Sequence, residues 1–251
     1  MGSFRKELQT HEQNYWKPYE EIIIRLLRFL KTHTLAYLHN AYRMREQSYN
    51  EEVYNTITHG IGFLLSLIGF ALLFVFHKYD NTRGIVAVIL YGVSLSMLYF
   101  VSSIYHYEKD ERRKQIYRKL DHISIYLLIA GTYSPVVLIV LDDSLGWTLF
   151  WLVWGIAILG TILKVFFTGR FEIISLVLYL VMGWLIVFDM QALLQKVDTT
   201  GILLLAGGGL AYTVGIIFYV MDRIKYSHVI WHLFVLLGSI LHYLFVFLKV
   251  I

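Results

Sequence analysis

The sequence predicts an all-α membrane protein, a bundle of seven transmembrane helices with its N-terminus in the cytoplasm and its C-terminus outside. Of the 251 residues, 57% are hydrophobic and only 16% are charged, whereas a soluble domain carries about a quarter charged residues. The hydrophobic residues fall in long uninterrupted runs, and the basic residues collect in alternate connections between those runs. Together these features exclude an ordinary soluble domain, which the chain length alone would allow.

Seven apolar runs, each about as long as a membrane crossing, contain neither Lys nor Arg. A helix needs about 20 such residues to cross a hydrocarbon core about 30 Å thick. A transmembrane β-strand is about half as long and alternates in hydrophobicity, and these runs do not. The short connections favour a single bundle in which consecutive helices are antiparallel. The runs are Ile57–Phe76, Ile85–Tyr105, His122–Leu141, Leu145–Leu163, Ile173–Met190, Gly201–Val220 and Val229–Leu248.

The basic residues predict which side of the membrane each connection faces. With the N-terminus in the cytoplasm, 18 of the 22 Lys and Arg residues lie on the cytoplasmic side. Eight of these belong to the long N-terminal segment and are discounted, but the loops still give ten against four. Positive charge is retained on the cytoplasmic side during insertion. This asymmetry and anionic lipid headgroups explain the net charge of +4, which therefore does not indicate a nucleic-acid partner.

The chain divides into a basic, amphipathic cytoplasmic region (residues 1–50) and a transmembrane domain (residues 51–251). The first region is polar at its start, so we expect no cleaved signal peptide. Further along it, a helix with one apolar and one charged face can lie in the membrane surface; the alternative is a partner-binding or partly ordered tail. Its apolar positions are Ile22, Ile23, Leu26, Leu27 and Leu30.

Residues able to do chemistry collect at one predicted membrane level, the cytoplasmic end of the bundle. His106 ends the second run, Asp121 begins the third, and His228 and His232 begin the seventh. Ser102 precedes His106 by four residues, and His228 precedes His232 by four, so each pair shares one face of its helix. Ionisable groups inside or at the edge of a membrane span are costly and are therefore candidates for function.

This pattern is typical of a metal site. Two His residues at positions i and i+4 of a helix can hold one metal ion. A third His completes the three protein ligands of a catalytic zinc, with water in the fourth position. We therefore predict that His106, His228 and His232 bind Zn²⁺. Asp121 would hold or deprotonate the water, or orient a ligand imidazole, and Ser102 would donate a hydrogen bond to the water or to a reacting carbonyl oxygen. The alternative is that these histidines contact lipid headgroups.

The other histidines of the spans have different expected positions. His242 lies ten residues after His232, about 15 Å further along the helix, and His77 lies on the opposite side of the membrane, so we exclude both. His122 follows Asp121 and points about 100° away from it. His59 lies near the site, where ligation, helix packing and a proton-relay role all remain open. The chain has no Cys, which excludes thiolate ligands and disulfides.

At these residues the sequence resembles the hemolysin III family, within the wider progestin and adiponectin receptor family and a superfamily that includes alkaline ceramidases. The resemblance covers roughly Glu51 to Ile251. The matching stretches are EEVYNTITHGIG (Glu51–Gly62), SSIYH (Ser102–His106), LDHISIYLLIAGTYSP (Leu120–Pro135), YLVMGW (Tyr179–Trp184), GGGLAYTVGIIFY (Gly207–Tyr219) and HVIWHLFVLLGSILHY (His228–Tyr243).

The resemblance implies a seven-helix bundle with a cytoplasmic N-terminus and zinc bound near the cytoplasmic face. The family's metal motif has Ser and His on the second helix, Asp at the start of the third, and two His on the seventh. Here it maps to Ser102 and His106, then Asp121, then His228 and His232, and no position departs from it. The resemblance also implies a bacterial plasma membrane, and related proteins of eukaryotic internal membranes leave that localisation open.

Three functions follow from the resemblance. The first is a zinc-dependent hydrolase of a lipid amide, with membrane lipids as substrate. The second is a non-catalytic regulator or sensor of membrane lipid state, with zinc as a structural clamp between the second and seventh helices. The third is a cytolytic pore, against which the gathering of polar residues at one end argues. The sequence assigns neither a substrate nor an oligomeric state.

Overall fold

The computed structural model describes residue 45 and residues 47–78, 81–169, 171–221 and 223–251. In that part of the chain all regular elements are helical, and seven helices are long and apolar enough to cross a membrane. The predicted fold class is confirmed, and the side of the membrane on which each terminus lies stays a prediction. The helices are α1 Tyr49–Phe76, α2 Thr82–Tyr107, α3 Glu111–Val140, α4 Gly146–Phe167, α5 Glu172–Lys196, α6 Thr199–Val220 and α7 Ser227–Val250.

Two helices begin well before the apolar runs that predicted them. In α1, Ser48 and Glu51 form a capping box, in which the backbone N–H of Ser48 donates to Glu51 Oε2 over 2.9 Å. In α3, the side chain of Asp110 accepts from the backbone N–H of Arg113. The extra turns are polar, so a search for apolar runs cannot find them. They place charged side chains at one end of the bundle, where the candidate site lies.

Two helices are irregular part-way along. The α-helical part of α3 ends at Pro135 and continues as π-helix over Val136–Val140. In α5, a 3₁₀ segment at Leu185–Asp189 follows Trp184. The hydroxyl of Tyr133 stabilises that break, since it donates to the carbonyl of Gly183 and accepts from the backbone N–H of Ile186.

Contacts between the helix ends show that consecutive helices alternate in direction. Glu52, in the first turn of α1, contacts His106 at the end of α2 and Lys114 at the start of α3. We call this end of the bundle the histidine end. At the opposite end, Lys249 of α7 pairs with Asp198, which caps the start of α6, over 2.6 Å.

The packing order of the helices positions the site. Helix α1 packs against both α2 and α7, α3 packs against α2 and α4, and α6 packs against α7. The α6–α7 contact is close at Gly208, where a β-carbon would collide with the ring of His242. The predicted amphipathic positions between Ile22 and Leu30 lie outside the described residues, and the division of the chain at residue 50 stays a prediction.

Candidate metal centre

Three imidazoles from two helices converge at the histidine end. His106 of α2 and His228 and His232 of α7 each offer one ring nitrogen, and these nitrogens all lie within 4.8 Å of one another. His106 and His232 are buried, and His228 is partly buried. The predicted convergence of these residues is confirmed, and the arrangement could hold a metal ion. That the ion is zinc stays a prediction.

A tight turn at Tyr226 precedes α7 and places His228 in the first turn of that helix. Tyr226 has a left-handed backbone with φ of 63°, a conformation that is unfavourable for a residue with a side chain. Its backbone N–H donates to Oε1 of the buried Glu51 over 2.6 Å. The start of α1 therefore holds the turn from which α7 begins, two residues before His228.

The hydrogen bond of one ring nitrogen of His106 shows which nitrogen is left to bind a metal ion. His106 Nδ1 lies 2.6 Å from Glu52 Oε2, and because an ionised carboxylate only accepts, Nδ1 carries the proton. His106 Nε2 is buried and has no hydrogen-bond partner among the described residues. A buried nitrogen without a partner is costly, and a metal ion would satisfy it. The cluster therefore fits the zinc ion that the sequence pattern predicts.

Glu52 was not predicted to belong to the site. A carboxylate that accepts from the second nitrogen of a ligand imidazole fixes the orientation of the ring and raises its basicity. Sequence reasoning gave that orienting role to Asp121 as one option, whereas the structure places Glu52 on His106. The available signal was a pair of acidic residues at the start of the first helix, and their spacing did not favour Glu52 over Glu51.

Asp121 and Ser102 lie at the histidine end outside the three-imidazole cluster. Asp121 is half-buried in α3. Ser102 is buried in α2, one turn before His106. The predicted catalytic roles of these two residues stay predictions.

His59 stacks on His232 and lies outside the three-imidazole cluster. Its ring lies parallel to that of His232, with centroids 3.6 Å apart and an interplanar angle of 11°. An imidazole binds a metal in the plane of its ring, so an ion in the plane of His232 would lie about one stacking distance out of the plane of His59. His59 also packs against Tyr99, with the two rings nearly perpendicular and their centroids 5.0 Å apart. Packing is therefore the role that this geometry supports.

The two histidines excluded by depth lie elsewhere. His242 lies outside the cluster, and its Nε2 is 3.0 Å from the carbonyl oxygen of Leu205 on α6. His77 follows the end of α1 at the opposite end of the bundle, where its Nδ1 is 2.5 Å from the carbonyl oxygen of Phe74. The prediction that neither belongs to the metal centre agrees with these positions.

A second polar cluster lies at the same end, formed by His122, Lys164, Glu172 and Tyr219; we call it the Lys164 cluster. Lys164 Nζ lies 2.5 Å from Glu172 Oε2, and the same oxygen is 3.9 Å from His122 Nε2. Tyr219 places its hydroxyl 3.3 Å from that nitrogen. The sequence counted Lys164 only as a cytoplasmic positive charge, but the structure buries it, with 2% of its surface exposed.

An apolar cavity is lined near the histidine end by Tyr219 of the Lys164 cluster. It lies between α3, α5, α6 and α7 and encloses about 860 Å³ of space not filled by atoms, part of it open to the outside. Tyr179 and Tyr219 line it towards the histidine end, and His242 lines it further along. There it adjoins a second cavity of about 640 Å³, which extends to Leu193. Trp231, one residue before His232, also lines the first cavity.

Comparison with known proteins identifies the family. Residues 47–243 match the family described as haemolysin-III related. The chain is 43% identical over 194 residues to Hemolysin-3 of Bacillus cereus, covering 77% of this chain and 89% of the relative. It is 43% identical over 190 residues to a Hemolysin-3 homolog of Bacillus subtilis (strain 168), covering 75% and 89%.

A human relative is more distant. The monocyte to macrophage differentiation factor of Homo sapiens is 30% identical over 203 residues, covering 77% of this chain and 82% of the relative. No solved structure matches the chain. Because the family match spans most of the chain and includes all three converging histidines, this protein belongs to the hemolysin III family and is an integral, multi-pass membrane protein.

Proposed function

We propose that this protein is a zinc-dependent hydrolase that cleaves the amide bond of a membrane lipid. One observation carries the proposal: Tyr219, whose ring centroid lies 6.0 Å from that of His228, lines an apolar cavity inside the bundle, although none of the three imidazoles lines it. A cavity lined mainly by apolar side chains suits a ligand with a hydrocarbon part. A polar centre at the end of such a cavity suits a substrate whose reactive bond lies between an acyl chain and a polar group.

The residues divide the chemistry between them. When bound by three imidazoles, zinc supplies a Lewis acid and an open position at which the pKa of water falls towards about 7. Glu52 holds the ring of His106 so that Nε2 faces the ion. Asp121 accepts the proton of the attacking water, and Ser102 donates to the carbonyl oxygen as negative charge develops on it. The apolar cavity binds the acyl chain and excludes bulk water.

We infer that the site faces the inner leaflet of a bacterial plasma membrane. The inference is supported by the excess of basic residues in the loops of the histidine end and by the Bacillus relatives. Membrane lipids are then both the solvent and the source of substrate. A substrate can diffuse laterally into the cavity through an opening between helices.

Metal analysis tests the site. The purified protein should contain close to one zinc ion per chain, and the double variant His228→Ala with His232→Ala should contain none. The variant His242→Ala, which changes a histidine of the same helix outside the cluster, should keep its zinc. Normal zinc content in the double variant would overturn the site assignment.

Lipid turnover tests the activity. Labelled ceramides and phospholipids are incubated with the zinc-loaded wild type and with Asp121→Ala. The wild type should release fatty acid from an amide lipid, and Asp121→Ala should do so at least about a hundredfold more slowly. If the wild type binds zinc but cleaves no lipid, the hydrolase proposal fails.

The second candidate is a lipid-state regulator with structural zinc. The packing of the helices supports this hypothesis. Helix α1 lies against both α2 and α7, so an ion held by His106 of α2 and His228 of α7 would link the two helices that pack against α1. Under this hypothesis chelation should lower the thermal stability sharply, and no lipid should be turned over. We do not propose a pore, because the cavity within the described bundle is lined mainly by apolar side chains.

A further inference from the structure

The two apolar cavities of the bundle meet at a shared boundary, which we call the neck. The residues that line both cavities there are Thr132, Tyr133, Gly183, Trp184, Gly209 and His242. On one side of the neck, the first cavity reaches Tyr219 towards the histidine end. On the other side, the second cavity reaches Leu193. The two cavities therefore follow one another along the bundle.

Together the cavities extend over most of the thickness of a membrane. Along α6 their linings run from Tyr219 to Ile202, which is about 25 Å at about 1.5 Å per residue. The first cavity alone covers the part from Tyr219 to Gly209, about 15 Å by the same measure. The hydrocarbon core of a bilayer is about 30 Å thick. A single chain that filled both cavities would thus start near the histidine end and pass the middle of the membrane.

Beyond the neck, the second cavity is lined by no polar side chain in the described part of the protein. The remaining lining consists of aliphatic side chains and the thioether of Met190, with Val136, Leu193 and Ile202 among the aliphatic ones. A polar group placed there would lose its hydrogen bonds to water without gaining others. The second cavity therefore suits plain hydrocarbon, such as the distal part of an acyl chain, and does not suit a headgroup.

Two glycines face each other across the neck from α5 and α6. A β-carbon at Gly183 or at Gly209 would meet no other atom within 4 Å, and neither residue has a positive φ. The neighbouring Gly208 differs, because a β-carbon there would collide with the ring of His242. Neither the backbone nor helix packing thus requires glycine at positions 183 and 209, although glycine is a poor helix former. Their effect is to leave the neck free of side chains on two walls.

We propose that Gly183 and Gly209 form a passage through which one hydrocarbon chain extends from the first cavity into the second, so that the protein selects long chains over short ones. This inference rests on the proposed function and specifies the chain length of its substrate. An empty apolar cavity leaves the atoms of its lining without partners, and a chain that enters it supplies them. A chain that ends before the neck makes none of these contacts.

Binding of two straight-chain fatty acids, the product class of amide cleavage, tests the proposal without turnover. Decanoic acid is short enough to stay in the first cavity, and stearic acid is long enough to pass the neck. Calorimetry in one detergent measures their dissociation constants for the wild type and for Gly209→Leu, and partition into micelles cancels in the ratio of the two. Gly209→Leu should weaken stearic acid at least about tenfold, because several methylenes lose their burial, and should leave decanoic acid unchanged.

Two further variants locate the effect. Gly183→Leu narrows the neck from its other wall and should also weaken stearic acid alone. Gly155→Leu adds the same side chain on α4, where a β-carbon again meets no atom within 4 Å but lines neither cavity, and should bind both acids as the wild type does. Size-exclusion chromatography checks that each variant is folded. The proposal is overturned if stearic acid binds both neck variants as tightly as the wild type, or if decanoic acid is weakened equally.

The outcomes also separate this proposal from the one on which it rests. If the wild type binds neither acid, the cavities do not hold an acyl chain, and this inference fails. If the wild type cleaves a lipid amide but Gly209→Leu affects both acids alike, the function stands and the passage is refuted. If Gly209→Leu weakens stearic acid alone and no lipid amide is cleaved, the passage stands and the hydrolase proposal fails.

Discussion

Glu52 joins the imidazole of His106 to a lysine near the surface. Its Oε2 accepts from His106 Nδ1 over 2.6 Å, and its Oε1 accepts from Lys114 Nζ over 2.7 Å. The three residues come from α1, α2 and α3. The orientation of the His106 ring therefore depends on a helix that supplies none of the three imidazoles.

Removal of the Glu52 carboxylate should weaken metal binding. In Glu52→Ala the ring of His106 loses its hydrogen-bond acceptor and its fixed orientation, so zinc affinity should fall about 10- to 100-fold. Competition with a chromogenic chelator measures the change. Glu111→Ala, at an exposed acidic residue in the first turn of α3, should bind zinc as the wild type does. Unchanged affinity in Glu52→Ala would show that the carboxylate plays no part in ligation.

Glu51 should control the turn before α7. Glu51→Gln loses the charge that accepts from the Tyr226 backbone N–H, and a hydrogen bond to a charged group contributes about 1.5–3 kcal/mol. Hydrogen exchange at the Tyr226 amide should therefore accelerate by at least about tenfold. Amides in the middle of α4, remote from this turn, should exchange at the wild-type rate. If Tyr226 keeps its protection, Glu51 does not hold this turn.

His59 should be replaceable by another flat ring. His59→Phe keeps an aromatic partner for the stack on His232 but offers no ligand nitrogen, so zinc should remain close to one ion per chain. His59→Ala removes the stack and should lower the zinc affinity, since His232 is then less well oriented. Atomic absorption on the purified variants measures the metal. Loss of zinc in His59→Phe would mean that His59 is a ligand after all.

The fold and the convergence of the three histidines could be predicted because both depend on distance along the chain. A membrane crossing is recognised from its length and composition. The four-residue spacing of His228 and His232, together with the end at which each span begins, then places His106 on their level. No knowledge of how the helices are arranged around one another was needed for either step.

The residues that the sequence missed depend on that arrangement. Glu51 and Glu52 are adjacent and chemically alike, and only the rotation of α1 about its axis sends one to Tyr226 and the other to His106. Lys164 looks like a loop cation at the end of an apolar run. Its burial follows from the position of α5, which brings Glu172 beside it. Lateral neighbours of this kind leave no spacing pattern in one sequence.

The buried Lys164–Glu172 pair should be more costly to break than to remove. Lys164 is 2% exposed, so Glu172→Gln leaves an ammonium without its counter-charge, which costs about 3–5 kcal/mol in other buried pairs. The double variant Lys164→Met with Glu172→Leu removes both charges and should be considerably more stable than Glu172→Gln. Thermal unfolding in one detergent compares the three proteins. If Glu172→Gln melts no lower than the double variant, the pair is not an isolated buried charge pair.

The orientation of the bundle can be tested directly because the chain has no Cys, so a single introduced thiol is the only one present. Thr200→Cys lies at the opposite end, in the first turn of α6, and Tyr107→Cys lies at the exposed end of α2 at the histidine end. Neither change alters the charge that sets the topology. In intact cells a membrane-impermeant maleimide should label Thr200→Cys and spare Tyr107→Cys. Permeabilised cells should show labelling of both thiols. The reverse pattern in intact cells would place the three imidazoles at the outer leaflet, and the inferred side for substrate entry would then be wrong.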